Sequence, residues 1–377
     1  MLNGRELSDR RLQMNSLDGL RGFAVLLVFL AHASYANLLL APGIHFIGNG
    51  RAGVYLFFVL SAFLLTYPFL HFHEKAYSRH FILNYSVRRI FRIFPLYSAC
   101  LLCGFLSTIL LQQLFNMENP RGFPLTLTFQ EFIRHLSLQE GKGVTWSIVV
   151  EFHFYLFLPI LAFVFSRILR NNLLACGLLT LCLIVVGQMI WPQAATDPVD
   201  IRLGPFLPLF LMGSYLALLH HRWQNFAYRN AAVTYLLLEV LGILALALTI
   251  CMIPLVASWI QPQAEIKLDQ YHRAFIQFGI LWSVVLFATV NGNGVLKRIF
   301  EWRFLRYLGF ISFSIYLLHL TAIAIVKTFL LTHTPLDIWI AFALTILISH
   351  LTWRIIEKPS SRIKIKPPET RPPIEAK

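Results

Sequence analysis

Three ionisable residues interrupt long apolar stretches of this 377-residue chain: His32, Glu151 and His319. Such groups are costly inside a bilayer and mark functional sites by default. Arg21 stands eleven positions before His32, close to three helical turns, so both lie on one face of a helix. With the first apolar run read as 20–41, His32 lies about 18 Å into it, near mid-membrane. A basic group at the mouth and a titratable imidazole deep inside suit an anionic substrate with its reactive end at a proton acceptor. The same position also suits a histidine that only hydrogen-bonds between helices.

A second basic cluster is Arg88-Arg89-Ile90-Phe91-Arg92, at the start of another apolar run. Arginine grips phosphate through a planar fork, although arginines flanking a span also serve as plain anchors. Glu151 follows Trp146 and Ser147 in the run Trp146-Ser147-Ile148-Val149-Val150-Glu151 and needs a partner there, an arginine or His32. It reads equally well as a structural carboxylate paired with arginine. Ser312, Tyr316 and His319 fall at i, i+4 and i+7, a polar stripe suited to substrate contact or to holding helices together.

No other constellation competes. The chain has no phosphate-binding glycine loop, no GxSxG, no HExxH and no dinucleotide fingerprint. His71 and His73 have the spacing of a metal pair but sit in a basic interfacial loop, and no metal is expected. The five cysteines, Cys100 and Cys103 in CxxC spacing among them, all lie in apolar runs and read as small apolar filler.

The elements that position these groups follow from composition. Charged residues make up 13% of the chain and hydrophobic ones 57%, where a soluble domain carries about a quarter charged. Runs of about 20 apolar residues span a bilayer as helices. Ten are read at 20–41, 50–70, 93–115, 146–166, 172–191, 203–221, 231–253, 272–291, 308–331 and 337–356. The fold class is therefore all-α, a polytopic membrane bundle. Ten spans put both termini on one side. The connections of that side hold 24 of the 32 Lys and Arg residues, which makes it the cytoplasmic side. The net charge of +14 thus reflects topology and anionic headgroups rather than nucleic acid. The polar N-terminus shows no cleavage site. Residues 1–357 form one membrane domain, and 358–377 a Pro/Lys-rich tail that is extended or disordered. The longer connection 116–145 reads as a lid or a re-entrant piece.

Taken together, these residues resemble the acyltransferase-3 family of membrane O-acyltransferases. The stretch Leu17-Asp18-Gly19-Leu20-Arg21-Gly22 with His32 resembles its basic residue, ten-residue spacer and histidine. Gly53-Val54 with Phe57-Phe58-Val59-Leu60-Ser61, Arg89-x-x-Arg92, Trp146-Ser147 with Glu151, Ser314 to His319, and Glu357-Lys358-Pro359 resemble further motifs in the same order. Two positions depart: Tyr55 stands where the family often has an acid, and Ala62 where it often has glycine.

The resemblance implies a multi-pass protein of the bacterial inner (plasma) membrane. It implies an acyl-CoA donor, acetyl-CoA in the simplest case, and a hydroxylated acceptor. His32 and Glu151 are then the catalytic candidates. Arg21, Arg88, Arg89 and Arg92 are candidates for the donor phosphates, and Trp146, Ser147, Tyr316 and His319 for substrate. Surface polysaccharide such as lipopolysaccharide, peptidoglycan, a lipid-linked sugar and a small metabolite all remain open as acceptors. The rival reading is a transporter or flippase for a lipid-linked or small hydroxylated molecule. Internal repeat symmetry would mark it, and none is visible.

Overall fold

The computed structural model describes residues 15–72, 76–115, 122–197, 199–261 and 268–365. His73, the first fourteen residues and the tail from 366 lie outside these. Backbone groups in lipid must be satisfied within the segment, so each apolar run closes its own hydrogen bonds as a helix. The long helices are α1 (Asn15–Tyr35), α2 (Gly50–His71), α3 (Arg79–Phe115), α5 (Trp146–Phe163), α6 (Leu173–Ile190), α7 (Leu203–Trp223) and α8 (Ala232–Cys251), with the short α4 (Phe129–Leu136) between α3 and α5. There follow α9 (Phe275–Asn291), α10 (Val295–Phe300), α11 (Arg303–Phe310), α12 (Ser312–Ile325) and α13 (Leu336–Thr352). Among the described residues nine helical segments are long and apolar enough to cross a membrane, and the 17-residue α9 is a shorter apolar helix. These account for the ten runs read from sequence.

Three boundaries differ, each with consequences for the site. The first helix starts at Asn15 and ends at Tyr35, which puts His32 in its last turn rather than at mid-span. Hydropathy alone reads on through Leu38-Leu39-Leu40, but Asn37 turns left-handed with φ 62° and folds Leu38 back into a small core with Phe29, Ile323 and Val326. The third helix begins at Arg79, so the arginine cluster lies inside it and not in a flanking loop. At 37 residues it is about 55 Å long, well beyond the hydrocarbon core. Near residue 311 the apolar run read as 308–331 is split into α11 and α12.

In lipid, helices gain little from burying apolar surface, and close packing decides which faces meet. The sequence supplies glycine at the closest approaches. A Cβ on Gly19 would lie 1.6 Å from the Phe300 carbonyl oxygen, and one on Gly22 would lie 1.9 Å from that of Leu305. The two glycines seat α1 against α10 and α11 and so fix the direction of Arg21 between them. Gly53 does the same where α2 meets α1, with a Cβ position 2.4 Å from the Ala24 carbonyl oxygen. On the far side of α2, Phe58, Phe210 and Phe154 stack in series at 4.7 and 4.3 Å, locking α2, α7 and α5 together. Helices α6 and α8 keep most of their apolar surface outward, as lipid-facing helices do. The first described part of the 116–145 connection folds back onto α3. Leu127 N–H bonds Thr108 Oγ1 at 3.2 Å, and residues 122–125 pack against Gly104 of α3.

Candidate active site

Helices α1, α2, α3, α5 and α12 enclose a cavity of about 690 Å³, its open part included. Arg21, Arg89, Arg92, Glu151, Ser61, Ser147, Tyr155, Ser312 and Tyr316 supply its polar lining. Arg89 and Arg92 are one turn apart on α3 and face inward together. Arg88, about 100° round the helix, does not line the cavity. Among the described residues the buried Arg89 Nε has no hydrogen-bond partner. Arg21 stands within electrostatic range of Arg92, Asp18, Glu151 and Arg89. The lining sets three guanidinium groups against the one carboxylate of Glu151, with Asp18 and Glu357 close to the arginines behind it, so an anion entering this space meets guanidinium donors at its wall.

Glu151 is held by neighbours on α2 and α5. Its Oε1 accepts hydrogen bonds from the Ser61 hydroxyl and, at 2.7 Å, from the Tyr155 hydroxyl. Arg21, not His32, stands within electrostatic range of it. The sequence reading missed both hydroxyl partners as site residues. Tyr155 is legible in the sequence only as the residue four beyond Glu151, and Ser61 and Glu357 only as members of the motifs that carry the resemblance. Glu357 belongs to the same polar cluster. It is buried beside the arginines, takes a hydrogen bond from Ser314 at 2.9 Å, and interacts with Arg92 and Arg21.

The polar stripe of α12 leads out of this cavity. Ser312 and Tyr316 line it. The Tyr316 hydroxyl donates to the Val144 carbonyl at 2.9 Å and lies 2.6 Å from Ser147 Oγ. One turn on, the ring of His319 is fully buried, 6.3 Å from that of Tyr316. His319 Nε2 in turn lies 3.1 Å from His32 Nδ1. His32 itself does not line the cavity; it is joined to the wall through Tyr316 and His319. Trp146 also lies outside the lining, packed on Phe58 and Phe206 under the Arg51 guanidinium, which sits 4.6 Å over its ring.

Hydrogen bonding fixes the tautomers of the histidine pair. His319 Nδ1 donates to the Ile315 carbonyl at 2.9 Å, which leaves Nε2 as an acceptor. His32 Nδ1–H then serves two acceptors, the Val28 carbonyl at 2.9 Å and His319 Nε2. The free lone pair of His32 is therefore on Nε2, and His32 is only partly buried. A base whose second nitrogen is oriented by a buried partner is the arrangement general-base catalysis requires.

Tyr55, where an acid was expected from the resemblance, is fully buried among Phe206, Phe275 and Phe278, and its hydroxyl donates to the His272 carbonyl. It packs helices and does not reach the cavity. Cys100 is buried and Cys103 exposed, so the CxxC pair does not converge. No group of metal-ligating side chains occurs among the described residues.

Residues 14–354 match the family described as "Acyltransferase domain". The chain is 28% identical to peptidoglycan O-acetyltransferase OatA of Listeria monocytogenes over 91% of its own length and 55% of that protein. It is 27% identical to "Putative peptidoglycan O-acetyltransferase YrhL" of Bacillus subtilis, over 91% of its length and 54% of that protein. A Staphylococcus aureus protein named "Putative O-acetyltransferase SAS0844" is 23% identical over 95% of this chain and 59% of its own. The chain thus spans little more than half the length of these relatives. No solved structure matches it.

Proposed function

Because the chain belongs to the acyltransferase-domain family, we propose that it moves an acetyl group from acetyl-CoA to a hydroxyl of a cell-envelope glycan. The names of its relatives favour peptidoglycan as that glycan. The protein is a multi-pass membrane protein. The charge bias of its connections supports placing both termini in the cytoplasm of a bacterial cell, with the arginine cavity toward that side.

The observation that carries the proposal is the coupling of two sites. A cavity lined by three arginines lies at one end of α1 and an oriented imidazole at the other, with the α12 stripe between. Eleven residues of helix set Arg21 and His32 about 16 Å apart. In this reading Arg21, Arg89 and Arg92 hold the phosphates of the donor, and its pantetheine arm runs along Ser312 toward Tyr316 and Ser147. There the Tyr316 hydroxyl exchanges its bond to the Val144 carbonyl for one to the thioester carbonyl, while its oxygen accepts from Ser147. His32 Nε2 takes the proton of the acceptor hydroxyl as the oxygen attacks the carbonyl carbon. The C–S bond breaks, the ester remains on the glycan, and the imidazolium returns the proton to the departing thiolate. Glu151 acts as the counter-charge that keeps the arginines in register, with its hydroxyl partners fixing its own position.

Purified protein in proteoliposomes tests this with labelled acetyl-CoA on one face and glycan strands on the other. Label should reach the glycan, and His32→Ala should lower transfer by two to four orders of magnitude, roughly the share of a general base. Full transfer by a folded His32→Ala protein would sink the mechanism. Transfer from another donor but not from acetyl-CoA would sink the donor assignment.

A further inference from the structure

We propose that the hollow between the α1–α2 connection and the α12–α13 corner is the docking site of the acceptor, and that it selects a saccharide bearing carboxylates. The inference rests on the acyl-transfer reading above and names the substrate class for the far end of the same site.

The hollow has about 950 Å³ of space, open part included, and Asn37, Lys327, His333, Thr334 and Asp337 give it a polar lining. It begins one turn beyond the catalytic imidazole, where Ala36 N–H bonds the His32 carbonyl at 3.1 Å. It therefore lies at the opposite end of α1 from the arginine cavity. Phe29, Ala33, Leu38, Ile323, Val326, Ile338 and Ala341 form a separate small core at the junction of α1, α12 and α13. This core gives the hollow a floor fixed relative to His32.

The two rims carry unusual backbone. Asn37 on one and His333 on the other are left-handed, with φ 62° and 60°. Strain of this kind persists where the surroundings over-determine it. On the second rim Asp337 does so, its Oδ1 accepting from Thr332 N–H at 2.9 Å and from the Thr332 hydroxyl at 2.7 Å. That carboxylate is thus engaged inside its own corner. Lys327 and His333 are exposed, and among the described residues neither side chain makes a hydrogen bond or an ion pair. What the hollow offers to a ligand is an ammonium, an imidazole and the Asn37 amide. Such groups fit a hydroxyl-rich chain with periodic carboxylates better than a neutral glycan.

The test uses the full chain in phosphatidylcholine nanodiscs. The probe is fluorescent, peptide-free peptidoglycan strands, which carry carboxylates, and the same strands after carboxyl reduction. Wild type should bind the carboxylated strands about tenfold more tightly than the reduced ones. The double variant K327Q/H333Q should lose that preference while its KM for acetyl-CoA stays unchanged, and Lys327→Arg should keep it. No binding by wild type, equal binding of the two strand forms, or a double variant that binds like wild type would each overturn the proposal. Charge-dependent binding without any acetyl transfer would keep this site and remove the transferase reading. Acetyl transfer with unchanged binding in the variant would do the reverse.

Discussion

Replacing His319 with phenylalanine separates an oriented base from a lone one. The ring stays, so packing beside Tyr316 is kept, while the Nε2 acceptor facing His32 is lost. His32 Nδ1–H still has the Val28 carbonyl at 2.9 Å, so its tautomer and its pose survive. The loss falls on the imidazolium formed during transfer. A hydrogen bond to a charged group contributes roughly 1.5–3 kcal/mol. Here the proton is shared between two acceptors, so about half of that is at stake. About 0.75–1.5 kcal/mol corresponds to a kcat lower by roughly four- to twelvefold, with KM for acetyl-CoA unchanged. The assay is acetyl transfer by wild type, H319F, H32A and the double variant in proteoliposomes. The two substitutions should be non-additive: once the base is gone its orienting partner has nothing to act on, so H32A/H319F should equal H32A. A wild-type kcat in H319F, or a further tenfold loss on top of H32A, would refute the pairing.

Other substitutions probe the rest of the assembly. Arg89→Gln should raise KM for acetyl-CoA by roughly ten- to hundredfold through a lost charge-assisted bond, while Arg88→Gln, outside the cavity, should shift it by less than about threefold. Tyr316→Phe keeps the ring against Phe57 and removes the hydroxyl that meets the thioester; kcat should fall by about a hundredfold or more with folding intact. Gly22→Ala drives a methyl into the Leu305 carbonyl and should lower the melting temperature in detergent by an amount matching at least about 1–3 kcal/mol, whereas Gly187→Ala, with nothing within 4 Å, should be neutral or slightly stabilising. In the α3–α5 connection, the Thr128 backbone N–H, with help from Lys142, holds the Glu131 carboxyl below its ordinary range. Its contribution to α4 is present above the unfolded carboxyl value and lost as pH falls through the lowered folded one, so amide protection in 128–136, relative to the intrinsic exchange rate at each pH, should fall on acidification, and Glu131→Gln should abolish that step.

The bundle was legible because its determinants are local. Apolar length gives the spans, and basic residues between them give an orientation to test. What escaped was the end of α1. Three consecutive leucines after Asn37 look like more helix to any hydropathy reading, and only the left-handed turn at Asn37 reveals that the chain has already turned back. The arginine cluster was misplaced for a related reason. Charged residues are read as span boundaries, yet α3 carries Arg89 and Arg92 inside a helix about twice as long as a bilayer requires, because the cavity supplies them with polar company.

That shift at the end of α1 changes the logic of the site. In the proposed mechanism an imidazole in mid-helix would share one chamber with the donor, whereas an imidazole in the last turn of α1 stands at the far end of that helix from Arg21. In that mechanism the donor's charged end at Arg21 and the imidazole of His32 are about 16 Å apart along one helix, with the Ser147–Tyr316 hydroxyl pair on the wall between them. Periodicity could supply the stripe Ser312, Tyr316, His319 but not its destination, since the partners Ser147 and His32 are 169 and 287 positions away in sequence. Only the packing of α1, α5 and α12 turns a polar stripe into a route. The glycines that let α1 approach α10 and α11 are part of that route, because they set the height at which Arg21 and His32 meet the residues of the other helices. Catalysis across a membrane needs that geometry more than it needs any single reactive group. A donor tethered by its phosphates at one face can present its thioester at the other only if the arm it carries matches the distance the helix imposes.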